Sequence, residues 1–457
     1  MTETKFDMLK ELWEEKNLTA LKRFLYEENP VDIAEMLSEF EEAEPKSLPT
    51  LYRLLSKEAA AEVFVEFDGD TAERLIGALS DKELAETLSE MFYDDAADLI
   101  EEMPANVVKR ILKNTSPADR KEINKLLKFP DGSAGSIMTT EFVSLQKEMT
   151  VGQALDHIRK VALDKETVYT CYVTDETRYL EGFVTALVLL TSPTEKTVGE
   201  LMESNIISAA TSDDREEVAR TLTKYDFLAL PVVDSENRLV GIVTVDDAID
   251  VIQEETEEDF SVMAAITPTE VPYLKTPVRT IFKSRIPWLL LLMFTATFTG
   301  MIISSFEDAL SAKVVLSVFI PMLMGTGGNC GSQSSITVIR SLSLGEIKLS
   351  DTLKILLKEF RVAFACSVCL AVFEFIKMMT LDRVLLSADI DVLVALTVSL
   401  TLIATVFFAK TVGAALPLLA SKLKLDPAVM ASPFITTLVD TASLFIYFSV
   451  AKVVLGI

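Results

Sequence analysis

The chemistry-bearing residues of this chain are carboxylates in three settings. Asp440 falls inside an apolar run that opens at Asp426-Pro427 and continues to Ile457. It lies about two helical turns after Pro433. A charge at bilayer depth is costly, so it marks an ion or substrate path or is paired inside a helix bundle for structure. The two prolines should break the backbone ahead of it and leave carbonyls able to face a cavity. The second setting is Asp94, Asp95 and Asp98, where positions 94 and 98 share a helix face. The third runs from Asp246 to Asp259, with eight carboxylates in 14 residues, among them Asp247, Asp250, Glu254, Glu255 and Glu258. Such runs repel themselves at low ionic strength. They read either as solvated surface or as cation-binding faces.

Composition separates these settings. From Arg285 onward there are 13 Lys and Arg against 11 Asp and Glu, which leaves 30 against 58 in residues 1–284. The acidic front argues against nucleic acid, since phosphate backbones select basic faces. It suits cations, although acidity also serves solubility. No signal peptide precedes the charged N-terminus, so the front is expected in the cytoplasm. Four cysteines with no paired framework fit a reducing compartment. Cys366 and Cys369 have CxxC spacing, but in an apolar helix without further ligands.

The elements that must position the acids follow from periodicity. Residues 1–130 read as short amphipathic helices behind Asn, Asp, Ser or Pro start signals, stacked into a small superhelix. Residues 131–258 hold a duplication. Asp175 and Gly182-Phe183-Val184-Thr185 match Asp234 and Gly241-Ile242-Val243-Thr244 at an offset of 59, and Ile137-Met138 matches Leu201-Met202 at 64. Each copy reads as strand, turn, strand and helix. The pair resembles tandem cystathionine-β-synthase-type (CBS) modules, 131–198 and 199–258. That resemblance implies a regulatory α/β pair binding adenine nucleotides, such as ATP, or ions. His157, the only histidine, is expected on a helix surface.

A connecting helix is expected over 259–284, and five apolar spans after it: Ile286–Ser305, Val314–Ile339, Val362–Met379, Val392–Leu419 and Ala431–Val454. Arg340, Lys348, Lys354, Lys358 and Arg361, then Lys422 and Lys424, put the intervening loops in the cytoplasm and the C-terminus outside. Lys410 is expected to snorkel to the inner interface. The second span carries Pro321 and four glycines between Gly325 and Gly331. These glycines serve helix packing, or an unwound or tightly packed pore wall where Asn329 and Gln333 offer neutral oxygens.

Taken together the chain resembles the MgtE family of magnesium channels along nearly its whole length. The resemblance is carried by the acidic helical front, Gly132-Ser133-Ala134-Gly135-Ser136-Ile137-Met138-Thr139, the CBS pair and Arg285-Ile286-Pro287-Trp288. Gly327-Gly328-Asn329-Cys330-Gly331-Ser332-Gln333 and Leu425-Asp426-Pro427-Ala428 through Asp440 complete it. Cys330 stands where a small residue is more usual. The resemblance implies a homodimer in the membrane lipid with the pore between subunits. Asp440 is then the selectivity carboxylate, the Thr436 carbonyl its partner ring, and the connecting helix a plug. Asp94, Asp98, Asp247, Asp250, Glu254, Glu255, Glu258 and Asp426 are implied to bind regulatory magnesium. Magnesium keeps several of its waters, so few carboxylates should face the hydrated ion. The expectation is a magnesium-selective channel closed by cytoplasmic magnesium and no enzyme. The rival is a Na⁺- or H⁺-coupled carrier, which would need a second ion site near the midplane.

Overall fold

The computed structural model describes residues 2–44, 46–269, 273–274, 276–385, 390–430 and 432–456. Ala431, the expected start of the last span, lies outside the described residues. The chain forms two compact units, Met1–Gln253 and Glu254–Ile457.

The first unit opens with ten short helices: α1 (Thr2–Glu14), α2 (Leu18–Glu27), α3 (Pro30–Ala43), α4 (Leu48–Tyr52), α5 (Lys57–Val65), α6 (Gly69–Ala78), α7 (Asp81–Leu88), α8 (Tyr93–Glu102), α9 (Ala105–Asn114) and α10 (Pro117–Leu126). Six of their starts, those of α2, α3, α5, α6, α7 and α10, are set by side-chain caps. Ser56 accepts from the Ala59 amide, Asp68 from Thr71, and Ser80 forms a capping box with Glu83. Helices two apart in sequence pack together, as α3 does on α5, α5 on α7, α7 on α9 and α8 on α10. That alternation is the superhelical stacking expected of repeated helical units. Leu21, Leu37, Leu51, Leu75 and Ile111 are fully buried in one continuous core.

Two copies of an α/β module follow. In the first, β1 (Phe142–Leu145) pairs in parallel with β2 (Thr167–Thr174), which pairs antiparallel with β3 (Leu180–Thr185); α11 (Val151–Val161) makes the crossover and α12 (Ala186–Thr191) follows. After α13 (Val198–Leu201), the second copy repeats the plan with β4 (Ala209–Ala210), α14 (Arg215–Tyr225), β5 (Ala229–Val233) and β6 (Leu239–Thr244). The two turns match in detail: Asp175 caps the amides of Thr177 and Tyr179, and Asp234 those of Glu236 and Arg238. The copies also exchange their leading segments. Thr139 bridges to Ile242, and Glu203 to Phe183. A Cβ on Gly241 would lie 2.6 Å from Met138 Sδ, and one on Gly182 would lie 2.9 Å from Met202 Sδ. The matched Gly and Met positions are thus one contact made twice.

Helix α15 (Val245–Met263) begins directly after β6. The connecting helix expected over 259–284 therefore differs in extent: α15 starts earlier, residues 266–269 are not helical, and the next helix begins at Val278. The second unit comprises α16 (Val278–Ser305), α17 (Glu307–Ala312), α18 (Leu316–Ser343), α19 (Thr352–Lys377), α20 (Arg383–Leu385), α21 (Val392–Lys422) and α22 (Ser432–Leu455). Among the described residues four segments are long and apolar enough to cross a membrane: Val278–Ser305, Leu349–Asp382, Val392–Lys422 and Pro427–Leu455. The expected second span, α18, has the length but not the hydropathy, because its glycines, Asn329, Gln333 and serines dilute the apolar run. Helices α18, α21 and α22 pack mutually; α19 packs on α21 and α16 on α22. An apolar groove of about 560 Å³, with Trp288, Phe298, Phe434 and Leu438 in its walls, runs along α16 and α22.

Candidate functional site

Asp440 stands in the middle of α22, one turn beyond Thr436. It is half-buried, and its Oδ1 is buried with no hydrogen-bond donor among the described residues. Ahead of it the helical backbone comes in two pieces. Pro427 opens a 3-10 turn, Pro427–Met430, and Pro433 occupies the first turn of α22, where a missing N–H costs nothing. The Met430 carbonyl accepts from Ser335 Oγ of α18 at 2.8 Å, which ties this turn to α18. The Thr437 hydroxyl makes the usual back-bond to the Pro433 carbonyl, at 3.0 Å.

The glycine segment proves to be packed, not unwound: α18 is continuous through Pro321 and Gly325–Gly331. A Cβ on Gly331 would lie 2.7 Å from Ile435 Cγ2, and one on Gly413 of α21 would collide with the Gly331 carbonyl. Three helices thus approach through bare backbone. Ser332 Oγ lies 3.5 Å from Thr436 Oγ1 across the α18–α22 contact. Asn329 and Gln333, one turn apart on α18, are both exposed. The glycine face holds α18 against Thr436 and Val439, and a separate amide-bearing stripe looks away from the contact. Lys410 is held inside the bundle and does not extend into open solvent. It is 4% exposed and donates to Ser334 Oγ at 3.3 Å, because α18 and α19 cover the floor of α21 on which it stands.

In the first unit the structure gathers a cluster of acids. Asp94, Asp95 and Asp98 come from α8, Asp246 and Asp247 from the start of α15, and Glu141 and Glu166 from the entries to β1 and β2. Phe142 pairs with Thr167, so the preceding Glu141 and Glu166 are adjacent, and the Glu166 amide donates to the Glu141 carbonyl at 2.9 Å. Glu141 Oε2 in turn accepts from the Tyr93 amide at 2.8 Å, which ties α8 to the sheet. Burial and repulsion from neighbouring acids push Asp94, Asp95, Asp98, Asp247 and Glu166 up. Asp94 rises to about 7 by desolvation and by Asp95, Asp247 to about 7 by desolvation and by Asp94, and Glu166 to about 8 by desolvation and by Asp94. Asp95 rises to about 6, and Asp98, whose side chain reaches the surface, is driven upward by the surrounding protein and by Asp94. Asp94 Oδ1 and Glu166 Oε2 are buried without a hydrogen-bond partner among the described residues.

The expected sites are brought together only in part. Asp94, Asp98 and Asp247 join the cluster, and Asp250 lies at its edge, raised by desolvation and by Asp246. Glu254 and Glu258 are exposed further along α15 and Glu255 is half-buried. Asp426 is exposed and caps the 3-10 turn through the Ala428 amide at 2.7 Å. The end of α15 packs close to that turn: Val262 and Met263 meet Ile339 and Ala428, and Ser343 Oγ donates to Asp259 at 3.0 Å. Among the described residues no three acids converge closely enough to chelate one bare ion. Magnesium that keeps its water shell does not require such convergence. Glu141 and Glu166 were not foreseen, because only the parallel pairing of β1 with β2 makes them neighbours.

Comparison with known proteins agrees with this geometry. The family model described as the MgtE divalent cation transporter matches residues 320–450, that of the MgtE intracellular N domain 28–132, and that of the CBS domain 134–191 and 198–254. The magnesium transporter MgtE of Thermus thermophilus is 35% identical over 451 residues, 98% of each chain. That of Bacillus subtilis is 36% identical over 368 residues, 80% of this chain and 79% of its own. Among solved structures, the soluble part of a magnesium transporter aligns with TM-score 0.52 and 31% identity over 56% of this chain and 99% of that one. The cytosolic domain of the Mg²⁺ channel MgtE in complex with ATP aligns with TM-score 0.50 and 36% identity over 53% and 98%. With an acidic helical front, a duplicated CBS pair and a glycine-packed helical bundle bearing one half-buried aspartate, the chain belongs to the MgtE family of magnesium transporters.

Proposed function

We propose that the protein is a magnesium-selective channel that admits the ion down its electrochemical gradient and closes when cytoplasmic magnesium binds its acidic front. The observation that carries this reading is Asp440: a carboxylate with an unpartnered buried oxygen, on a helix locked by glycine contacts to the Asn329–Gln333 helix. A lone acid is a poor pore by itself, whereas two on a dimer axis form an acidic ring for a hydrated divalent cation. The apolar groove along α16 and α22 supports such a homodimer. In it Thr436 would offer its carbonyl and Asn329 its amide oxygen to the ion's waters. All five long helices span the plasma membrane in this reading, with the N-terminal domains inside and the C-terminus outside, as the basic loops favour.

Regulation rests on the acidic cluster. Asp94, Asp98, Asp247 and Asp250 repel one another when ionised, and magnesium between them would favour the arrangement that holds them close. Glu254, Glu255, Glu258 and Asp426 would act near the α15–α18 contact, where Asp259 already meets Ser343. ATP is proposed as a ligand of the CBS pair because the cytosolic domain of a relative binds it. The test is flux in vesicles: magnesium entry should follow the magnesium gradient alone and fall as inside magnesium rises. Dependence on an imposed Na⁺ or H⁺ gradient would instead select the coupled carrier.

A further inference from the structure

Lys410 makes one hydrogen bond among the described residues, to Ser334 Oγ of α18. Ser334 Oγ also contacts Glu359 Oε2 of α19 at 2.7 Å. A hydroxyl has a single proton, so with that proton given to Glu359 it accepts from Lys410. The ammonium has three donors and one protein acceptor, and Glu359 Oε1 receives no donor among the described residues. Both charges border a cavity of about 470 Å³ whose walls include Gln333, Ile336 and Val362. Ile336 is 41% exposed and Val362 38%, so the cavity has apolar lips. Lys358 and Arg361, on either side of Glu359, are exposed. Exposed cations on a membrane helix belong at the headgroup level, so the cavity lies where α19 leaves the hydrocarbon.

We propose that this cavity binds the headgroup of a phospholipid bearing a primary ammonium. The lipid phosphate accepts from Lys410. Its ammonium donates to the open oxygen of Glu359 and to the Gln333 amide oxygen, and its chains lie against Ile336 and Val362. Fixed opposite charges two hydrogen bonds apart match a zwitterion with a donating cation. A choline headgroup cannot donate, and a glycerol headgroup has no cation to offer Glu359. Because Gln333 forms part of the wall, the lipid would brace the amide-bearing stripe of α18 from the cytoplasmic side. The proposal does not depend on whether Asp440 conducts.

Native mass spectrometry of the full-length protein, extracted from vesicles of equimolar phosphatidylethanolamine, phosphatidylcholine and phosphatidylglycerol, tests it. Wild type should retain the ethanolamine lipid over the choline lipid by roughly tenfold, the value of one charged hydrogen bond. Glu359→Gln, which keeps the shape, should erase that preference, and Lys410→Met should lower retention of all three lipids. If Lys410→Met does not fold, Glu359→Gln decides alone. Equal retention of ethanolamine and choline lipids by wild type overturns the proposal, as does an undiminished preference in Glu359→Gln. Displacement by free glycerophosphoethanolamine at the lipid's own concentration would make the site one for a soluble phosphate and overturn the lipid assignment.

Discussion

Seven carboxylates from α8, the β1 and β2 entries and α15, Asp94 among them, share one region of the first unit, and Asp94, Asp95, Asp246 and Asp247 raise the pKa values of their neighbours. In the second unit Asp440 is the one acid of α22, surrounded by helices rather than by like charges. Both sites leave carboxylate oxygens buried and unpartnered. In the cluster, repulsion is spread over many groups, so cations can relieve it in small steps. At Asp440 nothing shares the charge, so a single substitution should abolish it. A sensor benefits from the first arrangement and a selectivity site from the second.

The largest expected effect tests the solitary site. Asp440→Asn keeps the size and removes the charge, and should cut magnesium current by about a hundredfold while the protein still reaches the membrane. Wild-type current from the folded variant would remove Asp440 from the pathway. Next is the scaffold under that site. Gly413→Ala drives a methyl into the Gly331 backbone and should cost about 1–3 kcal/mol, read as a lowered Tm, with loss of flux in parallel. An unchanged Tm would mean that α18 and α21 do not hold this contact.

The cluster sharpens the contrast with smaller effects. Neutralising Asp247, Asp250, Glu255 and Glu258 together should leave conduction intact and shift inhibition to roughly tenfold higher magnesium. Closure at the wild-type concentration would reduce these acids to a solvated surface. Raised carboxyl pKa values also fix the sign of the pH dependence. The folded cluster holds protons that the unfolded chain has already released above about pH 4, so stability falls as pH rises from about 4 to 8. Protection of α8 and α15 amides, taken relative to the intrinsic exchange rate at each pH, should therefore rise as pH drops from 8 to 5, and magnesium at pH 8 should raise it similarly. Lower protection on acidification would contradict the shared-repulsion account. The smallest effect is that of Asn329→Ala, expected to change magnesium selectivity a few-fold with little change in expression. An unaltered ion preference would take the α18 stripe out of the pathway.

Much of this was legible in the residues because it repeats or alternates. Helix starts were visible in Ser56, Asp68 and Ser80, since an N-cap is satisfied within three residues of its own position. The duplicated Gly-apolar-Val-Thr strands announced two equal modules. Local signals misled where a neighbouring helix intervened. Pro433 reads as a break, yet it sits in the first turn of α22, where its missing N–H does no harm. Lys410 reads as a lysine reaching out to solvent, yet α18 and α19 cover it and Ser334 takes its hydrogen bond.

The sequence by itself determined the acidic front, the duplicated modules, the long apolar helices and the one aspartate among them, because charge balance, periodicity and apolar length are properties of neighbours along the chain. Only the tertiary structure decided that Glu141 and Glu166 belong with Asp94, that the glycines of α18 pack against Ile435 and Gly413, and that Ser334 joins Lys410 to Glu359. Each of those facts depends on a strand register or a helix contact between residues far apart in sequence. Burial, which sets the energy of a charge, exists only once those surfaces have met.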